Sequence, residues 1–333
     1  MTQEVTLKPV EVPKRDEAFQ LWQTMVTIRE FETEVSRIAD SGEVEGYLHT
    51  YAGEEAVAVG VISSMRSEDW LTSTYRNHGH AIARGVLLSA IAGELFGRST
   101  GICSGKGGSM HVADQSLNMI GSMGIVAGGL PIATGAAFAA RYLGEKRVAV
   151  SFFGDGAVHQ GAWHEALEFA SLFHCPVVFV CENNLYAETT AVDYHLLAES
   201  VSAMTAAYQI PSLQVDGMDV LAVRAAAQQA LEHARNGEGP FLLEAMTYRY
   251  GGQYEGDTQT YKPPEEVEYW RSRDPLPAYR SVLVNSGIAS DAELQALAEE
   301  ASADVQAAFA DARSAPWPAL EVGTADVYTS WEA

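Results

Sequence analysis

Apolar and polar positions change period repeatedly along the chain, from helical to strand-like and back. Phe19, Trp22, Met25, Val26, Ile28, Phe31, Val35 and Ile38 fall on one helical stripe, which predicts a long docking helix over 16–39 with Asp16 near its start as a cap. A polar arm with two prolines precedes it. Val148 to Phe153 and Val177 to Cys181 are short apolar runs, and Trp163, Leu167, Ala170 and Leu172 recur at roughly helical spacing between them. That stretch predicts strand, helix, strand. Ser212 to Val215 and Phe241 to Met246 predict two more strands with a helix over 219–235 between them, while 128–143 reads as a small-residue helix and 291–312 as an alanine-rich terminal helix. The alternation predicts an α/β fold, a doubly wound and mostly parallel sheet with flanking helices and a helical C-terminal tail. The predicted divisions are an arm and docking helix over 1–40, a ligand-binding domain over 41–285 and the tail over 286–333.

Composition narrows the functional classes. Of the 333 residues 47% are hydrophobic and 20% charged, enough for a large core, and the net charge of −23 repels nucleic acid and anionic membranes. No apolar run approaches membrane length, and the N-terminal stretch lacks the apolar segment of a secretion signal, so the expected location is the cytoplasm. Cys103, Cys175 and Cys181 are odd in number and lack metal-ligand pairing, which suits reduced core residues.

The candidate chemistry sits where the two central strands end. One run stops at Gly154-Asp155-Gly156 and the other at Glu182-Asn183-Asn184. A right-handed crossover makes these strands parallel, so Asp155 and Asn184 come together on the carboxyl edge, where open α/β sheets bind ligands. Both are hard oxygen donors suited to Mg²⁺ or Ca²⁺. Mg²⁺ takes only one or two carboxylates and leaves positions for waters and phosphate oxygens. The glycines let backbone approach, and the turn into the next helix offers free N–H groups to an anion, so a metal-bridged diphosphate fits.

Either motif alone is an ordinary loop. Joined through strand, helix and strand, with 29 positions from Asp155 to Asn184, they resemble the thiamine diphosphate motif. The resemblance implies that Asp155, Asn184 and the Tyr186 carbonyl hold Mg²⁺ against the diphosphate, with Gly154, Gly156 and Ala157 at the cofactor. Further stretches resemble the alpha subunits of thiamine-dependent 2-oxo acid and acetoin dehydrogenases, the decarboxylating first components of those complexes, over roughly residues 20–285. Tyr75-Arg76-x-His78-Gly79 matches a segment whose tyrosine and arginine reach the diphosphate, and arginine suits phosphate through its several fixed donors. By the same resemblance His78 and His80 are pocket residues and, with the position of Gln253, the candidate catalytic residues, and Gly124 and Val126 meet the aminopyrimidine ring through backbone atoms. Gly105-Lys106-Gly107-Gly108-Ser109-Met110-His111 matches a glycine-rich run of the family, though composition alone reads it as a flexible linker.

One departure stands out. Where the family loop usually carries His-Gly-His, this chain has Gly251-Gly252-Gln253, and a neutral amide cannot act as acid or base. Glu255-Gly256-Asp257 nearby is closer to acetoin-type loops than to the phosphorylated, serine-bearing loop of mitochondrial pyruvate enzymes. The resemblance further implies that the glutamate activating the thiamine ring lies on a separate pyrimidine-binding domain, while after the ligand-binding domain only the helical tail is expected here. The resemblance therefore implies a beta subunit, an α₂β₂ tetramer and a 2-oxo acid or acetoin-like substrate whose acyl group passes to a lipoyl-bearing acyltransferase. The alternatives are an uncoupled thiamine-dependent lyase or carboligase on the same subunit pair, and a non-catalytic homologue.

Overall fold

The computed structural model describes residues 6–325. Positions 1–5 of the expected arm and 326–333 of the expected tail lie outside the described residues. Strands β1 (Trp70–Thr74), β2 (Met119–Met123), β3 (Ala149–Gly154), β4 (Val177–Asn183), β7 (Ser212–Asp216) and β8 (Phe241–Met246) form one sheet, and β5 (Tyr186–Ala187) and β6 (Thr190–Ala191) a small antiparallel hairpin. The sheet order is β2-β1-β3-β4-β8-β7, and every neighbouring pair is parallel. The helices are α1 (Arg15–Asp40), α2 (Glu55–Ile62), α3 (His78–Arg84), α4 (Leu88–Leu95), α5 (Gly129–Leu143), α6 (Gly161–Leu172), α7 (Val192–His195), α8 (Val201–Met204), α9 (Val220–Arg235), α10 (Pro264–Arg271), α11 (Pro275–Asn285) and α12 (Asp291–Ser314).

Both faces of the sheet are covered, which explains why the central strands are mostly apolar and do not alternate. Val150 and Phe152 of β3 and Val178 and Val180 of β4 enter one core with α1, α2, α9 and α12. Their neighbours Ala149, Phe153, Val177, Phe179 and Cys181 enter a second core with α5 and α6. The terminal helix packs on the first one: Phe309 of α12 meets Phe31 of α1 at 4.9 Å between ring centres, and Trp22 Nε1 donates to the Leu294 carbonyl.

Three details differ from the sequence expectation. Asp16 does not cap α1, because the helix already starts at Arg15 and leaves Asp16 in its first turn, favourable to the helix dipole. Strand β4 runs on to Asn183, since Glu182 and Asn183 stay paired with Ala245 and Met246 of β8. Strands β1 and β2 did not stand out in the sequence, yet they form one side of the sheet. Cys175 and Cys181 are buried free thiols, and burial pushes Cys175 up to about 11, whereas Cys103 is only partly buried in the glycine-rich loop and is not the core residue expected. Among the described residues no helix is long and apolar enough to cross a membrane.

Candidate active site

Sheet order reverses between β1 and β3, because β1 leads outward to β2 on one side while β3 leads to β4 on the other. Segments following β1, β2, β3, β4 and β8 line a cavity of about 430 Å³ there. Tyr75 and Arg76 come from the end of β1, Gly124 and Val126 from the end of β2, Gly154, Asp155, Gly156 and Ala157 from the end of β3, and Asn184 and Tyr186 from the end of β4. All line the cavity, as does Gln253 from the loop after β8. Gly156 is required by packing: a Cβ there would come within 2.6 Å of the Ala187 Cβ.

The polar wall is organised around two buried arginines. Arg76 donates to the Thr50 carbonyl at 2.6 Å and to the Gln253 carbonyl at 3.0 Å. Arg249, which is 1% exposed, donates to the Gln253 side-chain oxygen at 2.7 Å, the Glu188 carbonyl at 2.8 Å and the Tyr261 hydroxyl at 2.8 Å. The other end of the Gln253 amide donates to the Tyr75 hydroxyl at 2.9 Å. Gln253 therefore ties Tyr75, Arg76 and Arg249 into one cluster. Burial, followed by the nearby Arg249 charge, lowers Arg76 below its ordinary range.

The oxygen-rich side has Asp155 and Asn184. Asp155 is 1% exposed and accepts from His195 Nε2 at 2.9 Å, and His195 Nδ1 lies 3.0 Å from His159 Nε2. The Asn184 amide donates to Glu54 at 3.1 Å, which leaves its carbonyl oxygen, Oδ1, unpartnered. Burial first, and the Glu182 charge second, push Glu54 up to about 8.

Eight buried side-chain polar atoms lack a hydrogen-bond partner among the described residues, and three belong to cavity-lining residues: Asn184 Oδ1, Glu54 Oε2 and Arg249 Nε. Unpaired buried polar atoms are costly, so such a set marks a place where a ligand completes the bonding. The Asn184 oxygen suits a cation, the guanidinium N–H suits an anion, and the Glu54 carboxyl, protonated at neutral pH, can exchange a hydrogen bond with a ligand. The donor set therefore fits a metal ion bound together with a phosphate group.

His78 and His80 are not on the cavity wall, which corrects the sequence expectation. They open α3, and packing directs both rings inward. His78 is fully buried between the Glu32 carboxylate at 3.1 Å and the Ser109 hydroxyl at 2.9 Å. His80 is fully buried behind Glu182, to which its Nε2 donates at 2.9 Å, and its Nδ1 accepts from the Ser73 hydroxyl at 2.7 Å. The histidine that lines the cavity is His49. Its Nδ1 donates to the Gln253 carbonyl at 2.7 Å, and burial followed by the Arg76 charge lowers it to about 4, so at neutral pH it is uncharged. His49, Arg249, Glu54 and Glu182 were not singled out as site residues from the sequence. For Arg249 a signal existed: like Arg76, it closely follows a strand end.

Residues 23–321 match the model of a family described as dehydrogenase E1 component. The alpha subunit of acetoin:2,6-dichlorophenolindophenol oxidoreductase from Bacillus subtilis (strain 168) is 44% identical over 318 residues, 95% of either chain. Its namesake from Cupriavidus necator is 40% identical over 312 residues, 93% of this chain and 94% of the relative. The pyruvate dehydrogenase E1 component subunit alpha of Rhizobium meliloti (strain 1021) is 39% identical over 310 residues, 92% of this chain and 88% of the relative. With a family match over most of its length and relatives of this identity along nearly whole chains, the chain belongs to the dehydrogenase E1 component family.

Proposed function

We propose that this chain is the alpha subunit of an acetoin-type, thiamine diphosphate- and Mg²⁺-dependent dehydrogenase acting in the cytoplasm. The observation that carries the reading is the cavity's bonding set, an unpartnered Asn184 oxygen on the same wall as Asp155 and a free guanidinium N–H on Arg249. Asp155, Asn184 and the Tyr186 carbonyl would hold the cation, and Tyr75, Arg76 and Arg249 the diphosphate oxygens. When bound, the cofactor supplies a thiazolium ring as electron sink for cleaving the bond next to a substrate carbonyl. The chain contributes position and charge. Gln253 keeps the two arginines and Tyr75 in register, while Met110, Met123 and the Gly124–Val126 backbone form the more apolar wall for the aminopyrimidine.

A beta subunit, in an α₂β₂ assembly, would supply the pyrimidine-binding domain. Ile125, 77% exposed at the cavity rim, suits burial against such a partner. A lipoyl-bearing acyltransferase would take the acyl group. Two relatives with acetoin in their names, at 44% and 40% identity, support acetoin over pyruvate. So does Gln253, since an amide gives no proton-transfer help and such help is worth about 10²–10⁴ in rate.

The test is turnover of acetoin and of pyruvate by the chain assembled with its beta subunit, using a dye acceptor and a lipoyl acceptor. Acetoin should be the faster substrate, and Gln253→His should raise the ratio of pyruvate to acetoin turnover. Faster turnover of pyruvate by the unaltered enzyme would overturn the acetoin reading. A ratio unmoved by the substitution would remove Gln253 from substrate selection.

A further inference from the structure

The glycine-rich loop 101–111 folds around an anion that belongs to the chain itself. Glu94, near the end of α4, is 0% exposed. Its Oε2 accepts the backbone N–H groups of Cys103 at 2.8 Å and Gly105 at 2.9 Å, and its Oε1 those of Gly107 at 2.6 Å and Gly108 at 3.1 Å. Positive φ at Ser104 (59°), Gly105 (76°) and Gly108 (62°) belongs to the kind of turn that points successive N–H groups inward, as in backbone anion nests. Gly101 is pressed against the same carboxylate, where a Cβ would come within 2.4 Å of Oε2. A loop that reads as a flexible linker by composition thus has four of its N–H donors engaged by one buried carboxylate.

What hangs on the loop reaches the cavity. The Ser109 carbonyl accepts from Asn77 at 2.8 Å and its hydroxyl meets His78, which ties the loop to α3. The Met110 carbonyl accepts from the Ser122 hydroxyl of β2 at 2.8 Å, and Met110 itself lines the cavity. His111 stands against Gly124, whose Cβ would lie 3.0 Å from His111 Nε2. Loop position therefore fixes both the Met110 wall and the room around the Gly124–Val126 backbone.

We propose that Glu94 is a positioning residue whose carboxylate holds loop 101–111 in place and so shapes the aminopyrimidine side of the cavity. The cavity half of this rests on the thiamine diphosphate reading, and the loop half does not. In the assembled enzyme, Glu94→Ala should speed hydrogen exchange in the 101–111 segment by about tenfold or more, since each charge-assisted bond is worth roughly that factor. It should also weaken thiamine diphosphate binding, leaving turnover at saturating cofactor much less changed. Formate, a carboxylate small enough for the vacated space, should restore both protection and affinity. Unchanged exchange in the folded variant would overturn the proposal, and so would failure of formate to restore protection, because side-chain bulk would then suffice. If Glu94→Ala does not fold, Glu94→Gln serves instead: its single acceptor oxygen should leave the same segment partly deprotected, and wild-type protection would overturn the proposal. Should exchange respond as expected while neither form binds thiamine diphosphate, the cofactor reading fails and the role of Glu94 in the loop stands.

Discussion

Asp155→Ala is expected to abolish magnesium-dependent binding of thiamine diphosphate by the assembled enzyme while leaving the fold intact. The carboxylate sits just past the end of β3, 1% exposed on the cavity wall, and Asn184 follows the end of the adjacent strand with its carbonyl oxygen unpartnered. Mg²⁺ sites use one or two carboxylates, so removing this one takes away much of the negative charge offered to the ion. Even outer partners of metal ligands are worth about 10–100-fold in affinity, and a direct ligand should cost about 100-fold or more. The fold should survive because the Asp155 side chain bonds to His195 and not to the sheet. Calorimetry with Mg²⁺ present, alongside circular dichroism, checks both halves. Wild-type affinity in a folded variant would remove Asp155 from the cation site.

The second large effect is expected at Arg249. Arg249→Met keeps the length of the side chain but removes every donor, including the buried Nε, which has no partner among the described residues. Charge-assisted hydrogen bonds contribute about 1.5–3 kcal/mol each, so thiamine diphosphate affinity should fall about 10–150-fold. The substitution also frees the Tyr261 hydroxyl, which then keeps its bond to Asp257 at 2.7 Å. Tyr261→Phe separates the two contributions: it loses the bonds from Arg249 and to Asp257 without touching the guanidinium, and should keep affinity within a few-fold of wild type. Equal affinity losses in both variants would make Arg249 a brace for the loop and not an anion ligand.

The legible part of the fold was the part buried on both faces. Strands β3 and β4 carry apolar side chains into two cores and so read as mostly apolar runs without alternation. Strand β1, Trp-Leu-Thr-Ser-Thr, is also paired on both sides but places hydroxyls inside: Thr72 donates to Ser151 at 2.8 Å and Ser73 bonds His80, so its polarity is hidden by pairing rather than exposed. In the site, Asp155 and Asn184 were found because parallel strands must bring their carboxyl ends together. His78 and His80 were misplaced because a motif fixes position along the chain and not the direction of a ring. Packing against Glu32 of α1 and Glu182 of β4 decided that, and neither contact is visible from spacing. The Gln253 departure was legible, but its bonds were not: Tyr75 lies 178 positions away in the chain, and the bond to Arg249, only four positions back, depends on how the loop after β8 turns.

The most direct measurement of the cation-bridged diphosphate site is a calorimetric titration of the alpha chain, assembled with its beta subunit, with thiamine diphosphate in the presence of Mg²⁺ and again with the metal chelated. Saturable binding with Mg²⁺ and at least about 100-fold weaker binding without it is the expected result. Binding of equal strength in both, or none in either, would contradict it.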